Sequence, residues 1–272
     1  MQDKSALEHA MDMVRDLRRR CSWDRAQTRE TLRPYLVEEV LELDHALGQG
    51  EVREIQAELS DLMLHLAFQL VIAEERGEFT PADVAAALEA KMRRRHPHLF
   101  DLGGAEPWEH IKRRERGGRV LTGLVPTLPT LLMAYRLQER AASIGFDWPG
   151  LEGPVEKVRE ELGEVEDELR TRVAAPPGSD PNSPGEPASE HLIDEIGDLL
   201  FTVVNLARKA GVQPGSALDR ANRKFRRRFE IIEQLAVERG IEISSAGLEV
   251  LDGLWEEAKT RDTAGVSASG TQ

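Results

Sequence analysis

The chain has little of what would mark an exported or membrane-embedded protein. Its 272 residues include one cysteine, Cys21, so an internal disulfide is excluded. The longest apolar run, residues 62–73, is interrupted by His65 and Gln69 and is too short to span a membrane. The polar start of the chain, residues 1–4, carries no secretory signal. These features predict a cytoplasmic protein without a membrane partner.

Basic residues are in the minority. The chain has 36 lysines and arginines against 49 aspartates and glutamates, which gives a net charge of -13 at pH 7. Because phosphate backbones are bound through an excess of Lys and Arg, no nucleic-acid polymer is expected as a partner. A single nucleotide held through a metal ion remains compatible with this charge. A glycine-rich phosphate loop is also missing, so side chains and metal would have to hold any phosphate.

Alternating strand patterns are nearly absent, apart from short stretches such as residues 241–243. Helical periodicity dominates the sequence instead and predicts an all-α protein. The predicted helices cover residues 5–20, 28–47, 51–76, 81–95, 107–116, 128–143, 153–173, 189–210, 214–238 and 246–260.

Glycine and proline positions predict two domains in tandem. Gly117 and Gly118 end the first half, and Pro126 and Pro129 mark the junction. A segment rich in Pro, Gly, Ser and Ala in the second half predicts a flexible loop. We expect helical domains at 1–118 and 131–262, a linker at 119–130, the flexible loop at 174–189 and a disordered tail at 263–272.

An acidic pattern occurs twice. The first half has Glu38, Glu39, Glu42, Glu58 and Asp61, and the second has Glu160, Glu161, Glu164, Glu195 and Asp198. Acids three positions apart share one helix face, so a helical hairpin would gather four carboxylates in one cleft. Two like charges ~6 Å apart repel by roughly 3 kcal/mol at an effective dielectric of ~20, which a cation relieves. All-oxygen ligands favour Mg²⁺ or Mn²⁺.

Solvated helix faces are the alternative explanation for these acids. The residues after Glu58 and after Asp198 argue against it, because they are apolar almost all round the helix, which is typical of buried helices. The runs are Leu59, Leu62–Leu64, Leu66–Phe68, Leu70 and Val71 in the first half, and Leu199–Phe201, Val203, Val204, Leu206 and Ala207 in the second. Duplication and burial together favour a metal site.

Two other classes of function fit parts of the pattern. A di-iron bundle would need Glu-x-x-His pairs on two helices, and only Glu42 with His45 supplies one. A catalytically silent scaffold that senses nucleotides or binds a protein is the second class, and metal-dependent turnover would separate it from an enzyme.

A basic segment follows the acids in each half. Lys91–Arg95 reads Lys-Met-Arg-Arg-Arg, and Lys224–Arg228 reads Lys-Phe-Arg-Arg-Arg. Basic side chains opposite a metal favour a phosphate ligand, and a solvated basic face is the alternative.

Several motifs together resemble a known family. In the first half they are Cys21-Ser22-Trp23-Asp24, Gln27-Thr28, Glu38-Glu39-x-x-Glu42, Glu58-Leu59-Ser60-Asp61 and Arg94-Arg95-His96-Pro97-His98. In the second half they are Gln138-Glu139-Arg140-Ala141-Ala142, Gly145-Phe146-Asp147-Trp148-Pro149, Lys157-x-x-Glu160-Glu161, Glu195-Ile196-Gly197-Asp198 and Asn222-Arg223-Lys224-Phe225. With these motifs, residues 8 to 260 resemble the two-domain MazG nucleoside triphosphate pyrophosphohydrolases.

The resemblance implies an intertwined homodimer of helical bundles. It also implies Mg²⁺-dependent hydrolysis of a nucleoside triphosphate between its α and β phosphates, which yields a monophosphate and pyrophosphate, with nucleotide-pool housecleaning as the expected role. The implied metal ligands of the second half are Glu161, Glu164, Glu195 and Asp198, and the implied nucleotide contacts are Lys157, Lys224, Arg228 and Trp255. A core aromatic is the alternative for Trp255. Glu160 is our candidate general base, with a helix-surface residue as its alternative.

The first half carries a second candidate site with fewer supporting features. Its metal ligands would be Glu39, Glu42, Glu58 and Asp61, with Lys91 and Arg95 as phosphate contacts. Ser60 stands where the second half has Gly197, and Ser22 replaces a usual proline of the family. The first half also has no obvious equivalent of Trp255, although its segment ends in Trp108. We therefore expect catalysis mainly in the second half. The preferred base and sugar are not predicted.

Overall fold

A computed structural model describes residues 5–100, 102–115, 117–173 and 188–269, with side chains described in these ranges except at residues 172, 173 and 264–269. Its regular elements in these ranges are all helical, which confirms the predicted all-α class. The helices are α1 Ala6–Arg20, α2 Ser22–Ala26, α3 Arg29–Gln49, α4 Val52–Arg76, α5 Pro81–Arg95, α6 Trp108–Glu115, α7 Thr130–Ala142, α8 Glu152–Val173, α9 Glu190–Lys209, α10 Pro214–Arg239 and α11 Leu248–Ser269, with short 3₁₀ turns at Pro97–Leu99 and Ile243–Ser245.

Local sequence signals explain several of the helix ends. Ser5 caps α1 through a hydrogen bond with the Glu8 amide, and the Glu8 side chain bonds back to the Ser5 amide. Gly77 and Gly240 end α4 and α10 with φ of 65° each, a left-handed conformation that glycine adopts at little cost. These residues lie within two positions of the predicted helix ends.

The helices differ from the prediction at two places. The short helix α2 lies between α1 and α3, where no helix is predicted, and Arg18 ties it down by donating to the carbonyl oxygens of Asp24 and Gln27. α11 continues to Ser269, past its predicted end and into the segment expected to be disordered. Ion pairs that Asp262 makes with α10 hold the helix two residues past its predicted end. Residues 174–187 of the predicted flexible loop lie outside the described residues.

The chain divides into two compact units, Met1–Ile111 and Lys112–Gln272. The division lies inside α6, a few residues before the predicted end of the first domain, and the exact domain bounds stay a prediction. In the first unit α3 and α4 form a hairpin through Gly50, and α1 packs against α4. Arg15 and Arg18 of α1 pair with Glu74 and Glu75 of α4. The buried core between these helices consists of Met11, Val14, Leu32, Ala67, Phe68, Val71 and Ile72.

The second unit repeats this arrangement. α8 and α9 pack against each other, and α7 packs against α9 as α1 does against α4. α10 and α11 form a further pair, whose buried core consists of Ile232, Leu235, Ala236, Leu254 and Ala258. The acidic residues of each half thus lie on one helix pair.

The expectation that α4 and α9 are buried all round is wrong for the single chain. Leu59, Met63 and Leu66 of α4 are exposed, as are Leu200 and Val203 of α9. The reason is that the neighbouring helices, α1 and α3 around α4 and α7 and α8 around α9, leave part of an element that is apolar almost all round uncovered. Both hairpins therefore present an apolar face to solvent.

α4 is also the one helix among the described residues that is long and apolar enough to cross a membrane by length and composition. One such helix is weak evidence, because core helices of soluble proteins have the same composition. Its C-terminal half is buried against α1, where Phe68, Val71 and Ile72 contribute to the core.

Candidate metal and nucleotide site

Three carboxylates of the second half meet between α8 and α9. One oxygen each from Glu161, Glu164 and Glu195 lies within 4.8 Å of the others. Glu161 is only 5% exposed, Glu195 is half-buried and Glu164 faces solvent. Asp198, the fourth predicted ligand, is outside this group and lines the adjoining cavity together with Glu161. We call Glu161, Glu164 and Glu195 the second carboxylate cluster.

The electrostatics of the second carboxylate cluster suit a cation. Desolvation by burial and then the charges of Glu161 and Glu195 raise the pKa of Glu164 above its ordinary value. A bound divalent cation would relieve both costs, because it replaces lost water and compensates the repulsion. The donor set consists of oxygens alone, which fits Mg²⁺ or Mn²⁺. The residues present therefore fit the expected metal.

Lys157 lies one turn before the cluster on α8. Its Nζ is 2.8 Å from Oε1 of Glu160 and 2.8 Å from Oε1 of Glu161. Hydrogen bonds that Lys157 donates to Glu160 and Glu161 raise the pKa of Lys157 above its ordinary value, so the ammonium remains charged at neutral pH. Glu160, the candidate general base, is thus held by a lysine in this conformation.

A cavity of about 490 Å³ adjoins the cluster. Its lining residues come from α7, α8, α9 and the segments before α7 and α8: Leu121, Leu137, Gln138, Ala141, Phe146, Asp147, Trp148, Lys157, Glu161, Asp198, Phe201, Thr202, Asn205 and Arg208. Most of this wall is apolar, with charged groups at the cluster and amide and hydroxyl groups elsewhere. Such a mixture is typical of small-molecule sites.

Gln138 presents an unsatisfied acceptor in this wall. Its Nε2 donates to the carbonyl oxygen of Phe201 at 2.7 Å, which fixes the orientation of the amide. Its Oε1 is buried and has no hydrogen-bond partner among the described residues. Because a buried acceptor without a partner costs about 1–3 kcal/mol, a ligand that donates a hydrogen bond here would gain affinity.

Ion pairs hold the loop that closes one side of the cavity. Arg208 and Lys209 of α9 both bind the carboxylate of Asp147, and Asn205 Oδ1 accepts from Arg208 Nη2 at 2.8 Å. Burial alone would raise the pKa of Asp147, but hydrogen bonds from Arg208 and Lys209 hold it below its ordinary value. The neighbouring Trp148 ring packs so closely on Gly153 that a Cβ there would lie 2.1 Å from the ring.

The predicted phosphate contacts of α10 form a separate group against α11. Arg228 Nε donates to Oδ2 of the buried Asp262 at 2.9 Å, and Arg227 binds the same carboxylate. The Arg228 guanidinium lies over the Trp255 ring, 5.9 Å from its centroid. Trp255 is half-buried against the α10–α11 core, as its core-aromatic interpretation expects, and also contacts Arg228. Lys224 is exposed.

The first half contains a matching cluster, which we call the first carboxylate cluster. One oxygen each from Glu39, Glu58 and Asp61 lies within 4.8 Å of the others. Desolvation raises the pKa of Glu39, and the charges of Asp61 and Glu42 raise it further. Glu42, the fourth predicted ligand, is outside the group. It borders an open groove of about 600 Å³, whose lining includes Glu38, Glu42, Glu54 and Glu58.

The first half lacks two of the polar residues that line the second-half cavity. Ten positions after Glu58 stands Phe68, whereas Asn205 stands ten positions after Glu195. Val71 stands thirteen positions after Glu58, and Arg208 stands thirteen positions after Glu195. Phe68 and Val71 are buried in the core against Met11 and Val14. Apolar side chains therefore occupy two of the positions that form the cavity wall in the second half.

Trp108 is the counterpart of Trp255 that sequence reasoning did not find. The Arg95 guanidinium lies over the Trp108 ring, 5.0 Å from its centroid, as Arg228 does over Trp255. The neighbouring candidate Lys91 is exposed. Sequence reasoning also did not assign Gln138, Asn205, Arg208 or Asp262 to a site. Alignment of the two halves could have revealed Asn205 and Arg208, because these polar residues stand where the first half has the apolar Phe68 and Val71.

Comparisons with known proteins agree with this duplicated architecture. A model of the MazG nucleotide pyrophosphohydrolase domain matches residues 27–100 and 152–231, one match in each half. A nucleoside triphosphate pyrophosphohydrolase/pyrophosphatase MazG of Thermotoga maritima is 41% identical over 248 residues, which cover 89% of this chain and 90% of that protein. A nucleoside triphosphate pyrophosphohydrolase of Escherichia coli K12 is 36% identical over 263 residues, with 93% and 95% covered.

The two matches confirm the tandem organisation predicted from the repeated motifs. Each match contains one carboxylate cluster and one basic helix segment, α5 or α10. With both halves and nearly the whole length aligned to its relatives, the chain belongs to the MazG family of nucleotide pyrophosphohydrolases and is an enzyme of that class.

Proposed function

We propose that the second half hydrolyses nucleoside triphosphates between the α and β phosphates, which yields a nucleoside monophosphate and pyrophosphate. The observation that carries this proposal is the cavity beside the second carboxylate cluster. Glu161 and Asp198 border it on the side of the cluster, and Gln138 and Asn205 provide hydrogen-bonding groups in its wall. A ligand that has a phosphate chain and a nucleoside fits this arrangement, with the phosphates at the second carboxylate cluster and the nucleoside in the cavity.

The nucleoside lies in the cavity in this proposal. Phe201 and Phe146 offer apolar surface to a base, and Gln138 Oε1 accepts a hydrogen bond from it. The ion pairs of Asp147 hold the Phe146–Trp148 segment in place, so the cavity is formed before the ligand enters. Preorganisation of this kind lowers the entropic cost of binding.

The phosphates lie against the second carboxylate cluster with Mg²⁺, and Mn²⁺ is an alternative ion. Glu161, Glu164, Glu195 and Asp198 are the proposed ligands. A bound metal ion would neutralise negative charge on the phosphates and polarise the attacking water. No glycine-rich loop is available for the phosphates, so the neighbouring cationic side chains complete their binding.

Lys157 and Glu160 share the proton chemistry of the proposed reaction. The Lys157 ammonium binds Glu160 in the structure and is the nearest cation to the cluster on α8. When it turns to a phosphate oxygen, the Glu160 carboxylate is released and accepts the proton of the attacking water. Lys157 stabilises the negative charge that develops on the leaving pyrophosphate.

Arg228, Lys224 and Trp255 are the proposed contacts to the nucleotide from α10 and α11. Asp262 acts through Arg228 as a positioning residue, because it binds Nε and leaves the terminal nitrogens for a phosphate. An arginine anchored in this way loses less side-chain entropy when it binds an anion.

A homodimer in the cytoplasm completes the proposal. The α3–α4 and α8–α9 hairpins each expose an apolar face, at Leu41 and Leu59 in the first half and at Leu162 and Leu200 in the second. A second copy would bury these faces in a helical bundle, because helix pairs with an exposed apolar face commonly pack against another pair. Removal of surplus or damaged nucleotides is the role proposed for the reaction, and neither a membrane nor a nucleic-acid polymer is a proposed partner.

The direct test is incubation with ribo- and deoxyribonucleoside triphosphates, with and without Mg²⁺, followed by separation of the products. We expect monophosphate and pyrophosphate only with the metal, and loss of turnover in Glu195→Gln. Asp194→Asn, which removes a neighbouring exposed charge, is the matched control and retains turnover.

Three outcomes contradict parts of the proposal. Diphosphate and phosphate as products would move the cleavage point. Greater loss in Glu58→Gln than in Glu195→Gln would assign catalysis to the first half. No turnover across the panel would favour the alternative of a silent nucleotide sensor or scaffold.

A further inference from the structure

Two amide side chains in the wall of the second-half cavity are each held in one orientation. The first is Gln138, whose Nε2 donates to the carbonyl oxygen of Phe201 at 2.7 Å. A carbonyl oxygen only accepts hydrogen bonds, so the Gln138 oxygen cannot take the place of its nitrogen there. Gln138 Oε1 is left over, buried and without a hydrogen-bond partner among the described residues. Toward a ligand, Gln138 is therefore an acceptor.

Asn205 is held in the opposite sense. Its Oδ1 accepts from Arg208 Nε at 3.1 Å and from Arg208 Nη2 at 2.8 Å. A guanidinium only donates hydrogen bonds, so the Asn205 oxygen has to face Arg208 and its Nδ2 has to point away. Asn205 is 5% exposed, and its Nδ2 makes no hydrogen bond with the described residues. Because Asn205 lines the cavity, its Nδ2 is a donor toward a ligand.

Arg208 keeps this orientation because it is held from its other side. Its Nη1 and Nη2 donate to the carboxylate of Asp147, and both side chains are mostly buried. The contacts from Asp147 through Arg208 thus decide which end of the Asn205 amide meets the cavity. Lys209 holds the same loop, but its hydrogen bonds go to Asp147 and to the Trp148 carbonyl oxygen.

Both amides lie near one turn of α9. Phe201 and Asn205 are four positions apart on this helix, and residues at that spacing are neighbours on one helix face. Gln138 reaches the same turn from α7 through its bond to the Phe201 carbonyl. Thr202 also lines the cavity, but a hydroxyl can donate or accept and therefore does not fix either role. The cavity thus presents one fixed acceptor close to one fixed donor.

We propose that Gln138 and Asn205 are the specificity-determining residues of the second-half cavity. They select a nucleobase that carries an N–H donor beside an acceptor on one edge. Standard bases have such an edge, and enzymes that bind an unpaired base recognise it by hydrogen bonds there. Bases whose edge is closed, as in ethenoadenine, have lost the donor and should bind poorly. The inference rests on the proposed function for the presence of a nucleoside in this cavity.

Isothermal titration of the full chain with Mg²⁺ tests the role of Gln138. The ligands are the α,β-methylene analogues of ATP and of purine riboside triphosphate, which differ only in the 6-amino group. We expect the purine riboside analogue to bind about 5-fold more weakly to the unchanged protein, because it lacks one hydrogen-bond donor. Gln138→Met keeps an unbranched side chain of similar length without the amide, and the two ligands should bind to it alike.

The role of Asn205 is tested with the 1-deaza and 7-deaza forms of the ATP analogue, each of which lacks one ring acceptor. We expect one of them to bind about 5-fold more weakly than the parent compound, and Asn205→Ala to abolish this difference. Arg208→Met frees the Asn205 amide to turn, so it should abolish the deaza difference and keep the preference for the 6-amino group. Lys209→Met is the matched control, since it loosens Asp147 alone and keeps both preferences.

The inference is overturned if the unchanged protein binds the parent, purine riboside and deaza analogues alike, a comparison that needs no substitution. It is also overturned if the preferences persist in Gln138→Met and Asn205→Ala. Circular dichroism and thermal melting check that each variant keeps its fold. Equal loss of both preferences in Arg208→Met would contradict its positioning role. Failure of the proposed function is a different result, since ATP would then not be turned over although its analogue binds with these preferences.

Discussion

The two halves of the chain share a helical hairpin with three converging carboxylates and differ in what lies beside it. Beside the second carboxylate cluster, Asn205 and Arg208 line a cavity. At the equal positions of the first half, Phe68 and Val71 fill the core. A duplicated metal-binding pattern therefore does not imply a duplicated substrate, because residues about three and four turns along the helix decide what fits next to the metal.

Each half gains something from the difference. α1 and α4 of the first half bury a continuous apolar core and are joined by two inter-helix ion pairs. α7 and α9 of the second half use polar contacts instead, such as the bond from Gln138 to the Phe201 carbonyl. The first arrangement favours stability, and the second leaves space and hydrogen-bonding groups for a ligand.

The largest expected effect is on stability in the first half. Phe68→Ala should lower the free energy of unfolding of that unit by about 3–5 kcal/mol, since it leaves a cavity in a packed core. The matched change in the second half, Asn205→Ala, should cost about 1 kcal/mol, since it removes hydrogen bonds at a cavity wall. Hydrogen–deuterium exchange of α4 and α9 measures each unit separately. Equal losses of protection in the two variants would contradict the contrast.

A cavity-filling change should reduce nucleotide hydrolysis next. Asn205→Phe places the first-half residue in the second half and should lower kcat/KM for triphosphates by about 100-fold, which corresponds to about 2.7 kcal/mol. Steady-state kinetics measures this loss. Asn205→Ala is the control, since it removes the same amide but leaves the space open and should lose less than about 10-fold. Equal losses of kcat/KM in Asn205→Phe and Asn205→Ala would mean that hydrolysis depends on the amide group and not on the open space of the cavity.

Loss of the carboxylate behind Arg228 should have a smaller effect. Asp262→Asn removes the charge that anchors this arginine and should raise KM about 10-fold with a smaller change in kcat, since a phosphate contact acts on ground state and transition state alike. Asp262→Glu should restore much of the loss. Arg227→Gln removes a partner of Asp262 but leaves Arg228 in place, and an equal rise in KM there would contradict the positioning role.

Acid should produce the smallest change. A hydrogen bond from Arg227 lowers the pKa of Asp262, burial opposes this, and Arg228 lowers it further, so the folded value lies below the ordinary 3.8. The unfolded chain therefore binds a proton first as the pH falls, and the stabilisation present above 3.8 is lost as the pH drops through the folded value. Acid titration of Asp262→Asn should show a shallower loss of stability, and an unchanged slope would contradict the ion pairs.

The fold was largely predictable from the sequence. Helical periodicity, caps such as Ser5 and stop signals such as Gly77 are local, and they placed most helix ends within a few residues. The short α2 and the first residues of α11 past its predicted end make contacts with other helices, Arg18 with Asp24 in one case and Arg228 with Asp262 in the other. Burial of α4 was overestimated because periodicity shows that a face is apolar but does not show what covers it.

The site was predictable where it repeats and unpredictable where the halves differ. Helix spacing brought Glu161, Glu164 and Glu195 together as expected. Gln138 and Asn205 lie on different helices, and their meeting in one cavity follows from tertiary packing that spacing along the chain does not encode. Their roles, like those of all the site residues, stay proposals.

The most direct test of the difference between the halves is the number of nucleotide sites per chain. Isothermal titration of a non-hydrolysable α,β-methylene nucleoside triphosphate with Mg²⁺ should give one site in the unchanged protein and none in Asn205→Phe. Two sites per chain, or one site that persists in Asn205→Phe, would contradict the assignment of the nucleoside to the second-half cavity.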